Sequence, residues 1–405
     1  MASSINASTS GPGGVITTAD NSGILQLQSG GVTQATISSS GLSTPAASTI
    51  NTANTFGFKN RLINGNMVID QRNAGASVTG VVGSVFATDR WKFYCSQASK
   101  ITLQQNAGSI TPPSGYTNYL GATVISAYSP VTNDEFDIYQ NIEGLNMSDL
   151  AWGTANAKTI TISFQVYSSL TGTFGGALRN SAGNRSYPFS YTVNSANTWT
   201  SVSIIIPGDT TGTWLTNNST GVSLIFSAGA GSNLLGTAGS WAGANYVGAT
   251  GQINLVSTNG ATFYLTGVQL EVGSQATSFD FRSYTTELQL CQRYLPAWNI
   301  ASSGQTGSLG PCYYYSTVNA GWCLPLPVTA RVPPTGITFS SASAFQIDSV
   351  GSNVCTNLSI SSTSQYAIGI NSTDAGANSA GWGGRVRWSG GTGAVGQLLA
   401  TGCEL

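Results

Sequence analysis

A chain of 405 residues has room for two or three domains, yet only 7% of its side chains are charged, far below the roughly 25% of an ordinary soluble domain. The 14 basic and 15 acidic residues leave a net charge of −1, and no basic tract exceeds two close residues such as Arg90/Lys92 or Arg385/Arg387, so a cationic nucleic-acid-binding face is excluded. Histidine is absent altogether, which removes Ser-His-Asp and Cys-His catalysis and every His-containing metal site.

Hydrophobic residues make up 40% of the chain, enough for a sizeable core, so intrinsic disorder is a poor description. Gly, Ser, Thr and Asn must cover the surface that charge usually covers, and such a surface suits sugars better than polyanions. The six cysteines, Cys95, Cys291, Cys312, Cys323, Cys355 and Cys403, form no CxxC pair and show no disulfide framework. Free buried thiols are the default, although Cys312 and Cys323 could cap a hairpin. The start, MASSINASTS, has no basic and no apolar region of the secretory kind. No apolar run approaches the roughly 18 residues of a membrane span. Assembly inside a cell followed by release on lysis fits both observations.

Residues 1–57 are rich in Ser, Thr, Gly and Ala. Ile24–Gln28 and Ala35–Ser38 alternate apolar with polar residues on either side of Gly30-Gly31, which predicts a hairpin. So small a hairpin is marginal in water and needs copies of itself or a partner to pair with; the competing reading is a disordered leader. Leu42 to Thr55 reads as a linker. Over 58–282 short strands recur, among them Thr159–Tyr167, Val202–Ile206, Val222–Phe226 and Thr262–Val272, separated by Pro207-Gly208-Asp209, Asn217-Asn218 and Asn259-Gly260. This punctuation predicts a two-sheet sandwich or jelly roll. Residues 283–297 break the pattern: Leu288, Cys291 and Leu295 share a helix face, with Thr285 or Thr286 as N-cap, Glu287 in the first turn and Pro296 as the stop. Residues 298–405 return to β character at Ala344–Asp348, Leu358–Ile360 and Arg385–Trp388, after a proline-interrupted stretch from Pro325 to Pro334. They predict a second, smaller sandwich.

Several runs carry a resemblance. They are Asn60–Arg72 (NRLINGNMVIDQR), Asp89-Arg90-Trp91, Ile206–Trp214, Gly267–Gly273 and Phe279–Tyr284, followed by Glu287-Leu288 and Cys291–Tyr294. In this order they resemble bacteriophage tail-fibre and related virion structural proteins, including cyanophage and other marine phage members. Ile16–Asp20 and Leu27–Gly31 also resemble the start of phage fibre proteins. The resemblance covers about residues 15–37 and 58–295. It implies a homotrimeric fibre whose N-terminus docks on other virion proteins and whose middle is a carbohydrate-binding-module-like sandwich. Tail, baseplate, neck and head fibres can share such modules, so the kind of fibre stays open.

Sugar binding combines an aromatic platform with amide and carboxylate hydrogen-bonders, because a pyranose has apolar faces and polar edges. In the central region Trp199 and Trp214 are read as core. Trp241 and Tyr246 sit in the Gly/Ala-rich loop from Gly236 to Ala249, where exposure and burial are both open. Asn217, Asn218, Asn233 and Asn245 lie nearby. In the C-terminal region Tyr313-Tyr314-Tyr315 with Trp322, and Trp382 to Trp388, form two aromatic groups, each with part of its members packed inward. The expected carbohydrate contacts are Trp241, Tyr246, Tyr314, Trp322, Trp382 and Trp388. Asp134, Glu135, Asp137 and Glu143 form the densest acidic group. They match no EF-hand and are read as a solvated loop, a glycosidase carboxylate pair being the minor alternative. Asp209 is placed in an Asx turn, and Arg61, Asp70, Arg72, Asp89 and Arg90 are read as structural ion pairs.

The expectation is thus an all-β chain. It comprises an N-terminal docking and trimerisation segment (1–57), a central β-sandwich (58–282), a helical junction (283–297) and a C-terminal β-sandwich (298–405). Its expected role is a non-enzymatic tail-fibre subunit of the virion that binds a host surface polysaccharide, without metal, cofactor, nucleic acid or membrane insertion. A purely structural fibre and a polysaccharide depolymerase are the competing classes.

Overall fold

The computed structural model describes residues 3–7, 15–18, 22–39, 41–43, 58–299, 307–376, 378–389 and 396–405. The chain is all-β with one α-helix among these residues. At the N-terminus Leu25–Ser29 and Val32–Ser38 pair antiparallel, with Leu25 opposite Ile37. Gly30 and Gly31 turn between them at φ of 59° and 77°, the positive values a two-residue hairpin turn needs and glycine adopts without strain. Ser3–Ala7, Val15–Thr18 and Gly41–Ser43 extend the pair into a five-stranded sheet. The predicted linker therefore begins with a strand, and its remainder lies outside the described residues.

Two six-stranded sheets form the central jelly roll. One runs, in hydrogen-bonding order, Thr200–Ile206, Ile160–Ser168, Thr262–Val272, Leu120–Val124, Ile101–Gln105, Val78–Thr79. The other runs Ser186–Val193, Gly172–Asn180, Thr220–Ala230, Glu135–Glu143, Trp91–Cys95, Gly83–Thr88. Period-2 alternation sets the faces. Ile160, Ile162, Phe164 and Val166 point inward from the first sheet, and Phe136, Ile138 and Ile142 from the second, all buried. Phe164 meets Phe226 across the layers at 5.0 Å, edge to face. Each such side chain contributes about 1.5–3 kcal/mol by burial.

The runs that resemble fibre proteins converge in space. The Asn60 amide donates to Val268 O and its Oδ1 accepts from the Leu62 and Leu270 amides. The Asn64 side chain bonds both Ile69 and Asp89 backbone, and Trp91 Nε1 donates to Asn64 O. The Asn64 amide donates to Glu287, and Arg282 reaches Leu62 O. A Cβ at Gly65 would lie 2.1 Å from Val268 O, so only glycine fits there. These residues form a knot that ties the first residues of the sandwich to its last strand and to the helix.

The helix spans Tyr284–Gln292, and its N-cap is Ser283, whose Oγ accepts from the Thr286 amide, rather than Thr285 or Thr286. The helix ends before Pro296. Cys291 and Tyr294 are buried against Ile63 and Ile69, with Leu288 half-buried beside them.

In the C-terminal region, where a second sandwich was expected, the ladder closes. Ser308–Tyr314, Asn319–Pro325, Ala367–Asp374, Ser352–Thr363, Phe345–Asp348 and Gly383–Trp388 form a six-stranded barrel. Gly383–Trp388 bridges both Ser308–Tyr314 and Phe345–Asp348. Ser352–Thr363 carries two register irregularities, which bend it enough to close the sheet and remove its edges. Ala297–Asn299, Gln397–Thr401 and Gly336–Phe339 form a small sheet beside the barrel.

Charge gathers where barrel meets sandwich. Arg72 pairs with Glu404 at 2.7 Å. Arg331 donates to Cys403 O, Glu404 O and Asn218 O. Buried Glu143 accepts from Arg293 twice, at 2.6 and 3.0 Å, and from the Tyr294 hydroxyl at 2.6 Å. Arg90 lies 3.5 Å over the Tyr294 ring. Gln397 Nε2 and Asn299 Nδ2 both donate to Gln71 O. Of the five residues read as structural ion pairs, Arg61 pairs with Asp149 and Arg72 with Glu404, whereas Asp89 accepts from Gln71, Asp70 from the Asn73 and Gly75 amides, and Arg90 donates to Asn141 O, so these three are held by neutral groups.

Candidate functional site

The six expected carbohydrate contacts do not come together. Tyr314, Trp322 and Trp388 are 0%, 5% and 5% exposed and fill the barrel, so they are corrected from binding residues to core. Closure points alternate side chains into the lumen, and these three share the inward phase. The Tyr314 hydroxyl donates to buried Asp374, and the Trp388 ring lies 4.6 Å from Phe345. Trp382 is exposed on the barrel surface. Trp241 is half-buried. Its Nε1 donates to Pro207 O, and it meets Trp152 and Trp214 edge to face at 5.4 Å each. Tyr246 is half-buried with its ring against Gly236, where a Cβ would come within 2.3 Å of it. Trp199 is anchored by Thr111 O.

Asp209 forms its Asx turn with the Thr211 amide and also pairs with Arg185. The acidic group is not a solvated loop. Asp134 closes a turn with the Val131 amide, while Glu135, Asp137 and Glu143 lie on one strand, the last two 1% exposed. Among the described residues no three acidic or cysteine side chains gather as a metal shell would, and no helix is long and apolar enough to cross a membrane. All six cysteines are free, and only Cys323 is exposed.

An open groove of about 350 Å³ lies instead on the outer face of the second sheet. Its floor comes from the strand Glu135–Glu143. Phe136, Ile138 and Ile142 turn inward, so Glu135, Asp137, Tyr139 and Asn141 turn outward. Asn141 stands opposite Ser223, and Ser223 opposite Arg179, giving one polar row across three strands. The Ser223 hydroxyl donates to Asn141 Oδ1 at 2.6 Å, and Tyr139 shares a 2.8 Å bond with Ser84. One wall is the turn at residues 181–184, pinned because Asn180 Oδ1 accepts from the Asn184 and Arg185 amides. The other is the loop ending at Asn245, whose Oδ1 accepts from Arg179 Nη1 at 2.9 Å. Arg179 also lies 3.6 Å from Glu135, which leaves a groove of hydroxyls and amides with little net charge.

Beneath one end of the groove neither carboxylate oxygen of Asp137 accepts a hydrogen bond. Burial, and then the neighbouring Glu135 charge, hold this carboxyl well above the ordinary carboxylate range. A larger cleft of about 440 Å³ opens beside the helix. Its arginines are already matched, Arg61 by Asp149, Arg282 by Asp280 and Glu287, and Arg293 by Glu143, so it is a structural seam. Of the residues lining the groove, only Asn245 is among the candidates named from sequence. The signal for the others was the alternation Phe136, Ile138, Ile142 against Asp137, Tyr139, Asn141.

No family model and no curated protein matches the chain. Among solved structures it is similar to the enzymatically active domain of tailspike protein 4 of bacteriophage CBA120, at 10% identity and TM-score 0.28 over 53% of this chain; the match spans 21% of that domain, about a fifth. It is similar to a putative sugar binding protein from Bacteroides thetaiotaomicron, at 10% identity and TM-score 0.31, over 53% of this chain and 100% of that one. It is also similar to the family 11 carbohydrate-binding module of a Clostridium thermocellum cellulosomal cellulase, at 14% identity and TM-score 0.24, over 49% and 99%. Likenesses at this level carry no functional argument, and the jelly-roll description rests on the strand order above.

Proposed function

We propose that the chain is a non-enzymatic, glycan-binding subunit of a virion fibre of the bacteriophage tail-fibre type. It assembles as a homotrimer in the host cytoplasm, docks on other virion proteins through its N-terminal segment and contacts a host surface polysaccharide during adsorption. The observation that carries this reading is the groove. It offers hydrogen-bonding side chains in both directions from Asn141, Arg179, Ser223 and Asn245, with the Tyr139 ring at its floor and almost no net charge, as a neutral sugar requires. A depolymerase would need two carboxylates facing the glycosidic bond, and Asp137 is buried away from solvent.

A purely structural neck, baseplate or head fibre is the second reading. It is favoured by the knot at Asn60–Arg72 and Gly267–Gly273, since the runs that resemble fibre proteins serve architecture rather than the groove.

Binding of the purified chain to host cells and to a polysaccharide array separates the two. The Arg179→Gln/Asn245→Ala double variant, altered only at the groove, is expected to bind at least about tenfold more weakly. No reducing ends should be released from host polysaccharide. Undiminished binding by the double variant would remove the groove from the account, and released product would restore the enzymatic reading.

A further inference from the structure

We infer that the barrel carries a second glycan-binding surface on its outer face, centred on Tyr313, and this inference extends the glycan-binding reading above to a separate domain. Tyr313 and Tyr315 are 60% and 46% exposed, their rings 6.4 Å apart and 60° inclined. Tyr313 stands opposite Gly321 in the strand pair. A Cβ at Gly321 would lie 3.4 Å from Cε1, Cζ and the hydroxyl oxygen of Tyr313, so the outer end of the Tyr313 side chain lies over bare backbone while most of the residue stays exposed. Gly321 is followed across the barrel by Asn371 and then by exposed Ser359. In the next row Asn319 faces Thr373, which donates to Asn319 Oδ1 at 2.8 Å, and Thr373 faces Asn357. Trp382 flanks the tyrosines on the other side, its carbonyl accepting from the Tyr314 amide.

A flat aromatic face bordered by amides and hydroxyls matches the apolar face and polar rim of a pyranose. None of these residues is charged. The uncharged surface suits a neutral hexopyranose; the nearest charges, Arg385 and Arg387, lie on the adjoining strand and share Asp348 at 3.0 and 2.7 Å. Gly321 leaves the seat under the ring free of a larger side chain. Two surfaces on separate domains of one subunit would engage a polysaccharide with avidity well above either alone.

The test compares four proteins on an array of neutral hexose oligosaccharides: the wild type, Tyr313→Ala/Tyr315→Ala, the groove variant Arg179→Gln/Asn245→Ala, and the combination. Both tyrosines are exposed, and an unchanged thermal midpoint checks that the barrel is intact. The expected result is a loss of at least about tenfold for each double variant and near-complete loss for the combination. Groove-variant loss with unchanged binding by the tyrosine variant overturns this inference and leaves the groove standing. The reverse pattern supports it and removes the groove. A wild type that binds no oligosaccharide overturns both. A tyrosine variant whose oligomeric mass falls would make the face a contact between copies and overturn the inference as well.

Discussion

Glu143→Ala is expected to destabilise the protein by about 3 kcal/mol and to split its denaturant unfolding into two transitions. Glu143 is 1% exposed, and both its oxygens are occupied by Arg293 and Tyr294. Removing one partner of a buried pair costs about 3–5 kcal/mol, because the other is left unpaired. The lower figure applies here, since the Arg293 side chain is 30% exposed. The loss falls at the junction. Glu143 ends a sandwich strand, Arg293 follows the helix, and the Arg293 carbonyl accepts from the Arg331 amide on the barrel side. In a chain so short of charge, this network works beside the Arg72–Glu404 pair and the hydrogen bonds to Gln71 O in tying the domains together, and weakening it lets barrel and sandwich unfold separately. Burial raises the Glu143 pKa, but the hydrogen bonds from Arg293 and Tyr294 outweigh it and hold the carboxyl below its usual value. Its contribution is therefore complete at neutral pH and fades as pH falls below the ordinary glutamate value of 4.5. A single transition at the wild-type midpoint in urea titrations of the variant would contradict this account of the junction.

Asp137→Asn should stabilise the protein by about 1–3 kcal/mol at pH 8. The aspartate is buried, neither oxygen accepts a hydrogen bond, and Glu135 stands beside it on the same face. Its folded-state pKa is raised above the unfolded value of 3.8, first by burial and then by the Glu135 charge. Between those two values the native state holds a proton that unfolding releases, so wild-type stability falls as pH rises through the window. Asparagine removes the titration and supplies a permanent donor toward Glu135. The gain should be large at pH 8 and vanish at pH 3.5, read as the difference in urea midpoints of variant and wild type. A loss of stability at pH 8 would mean that the carboxylate is ionised and satisfied.

The β architecture was legible because period-2 alternation is a local property. Thr262–Val272 occupies the expected bounds, and Ile160–Ser168 is shifted by one residue. The helix was legible from Leu288 and Cys291, although its cap was misplaced because Ser283, Thr285 and Thr286 are all competent N-caps. Barrel closure was not legible. It depends on Gly383–Trp388 meeting two strands distant in sequence, which no local pattern encodes.

The same limit governs the site. Alternation says that neighbours within Tyr313-Tyr314-Tyr315 face opposite ways, but the inward phase is set by pairing with Asn319–Pro325, which puts Tyr314 in the core and its neighbours outside. Trp322 and Trp388 followed the same inward phase. Along Glu135–Glu143 the density of acids suggested a loop and hid a strand whose outward residues, Tyr139 and Asn141, line the groove. Asn245 was singled out from its loop, while Arg179, its hydrogen-bond partner, lies 66 residues away in sequence.

The most direct test of the account is a crystal structure of the chain with the oligosaccharide that it binds most tightly on the array. The account predicts a sugar ring in the groove on the outer sheet face, within hydrogen-bonding distance of Arg179 and Asn245 and in contact with Tyr139. A sugar bound elsewhere, with this groove empty at saturating concentration, would contradict it.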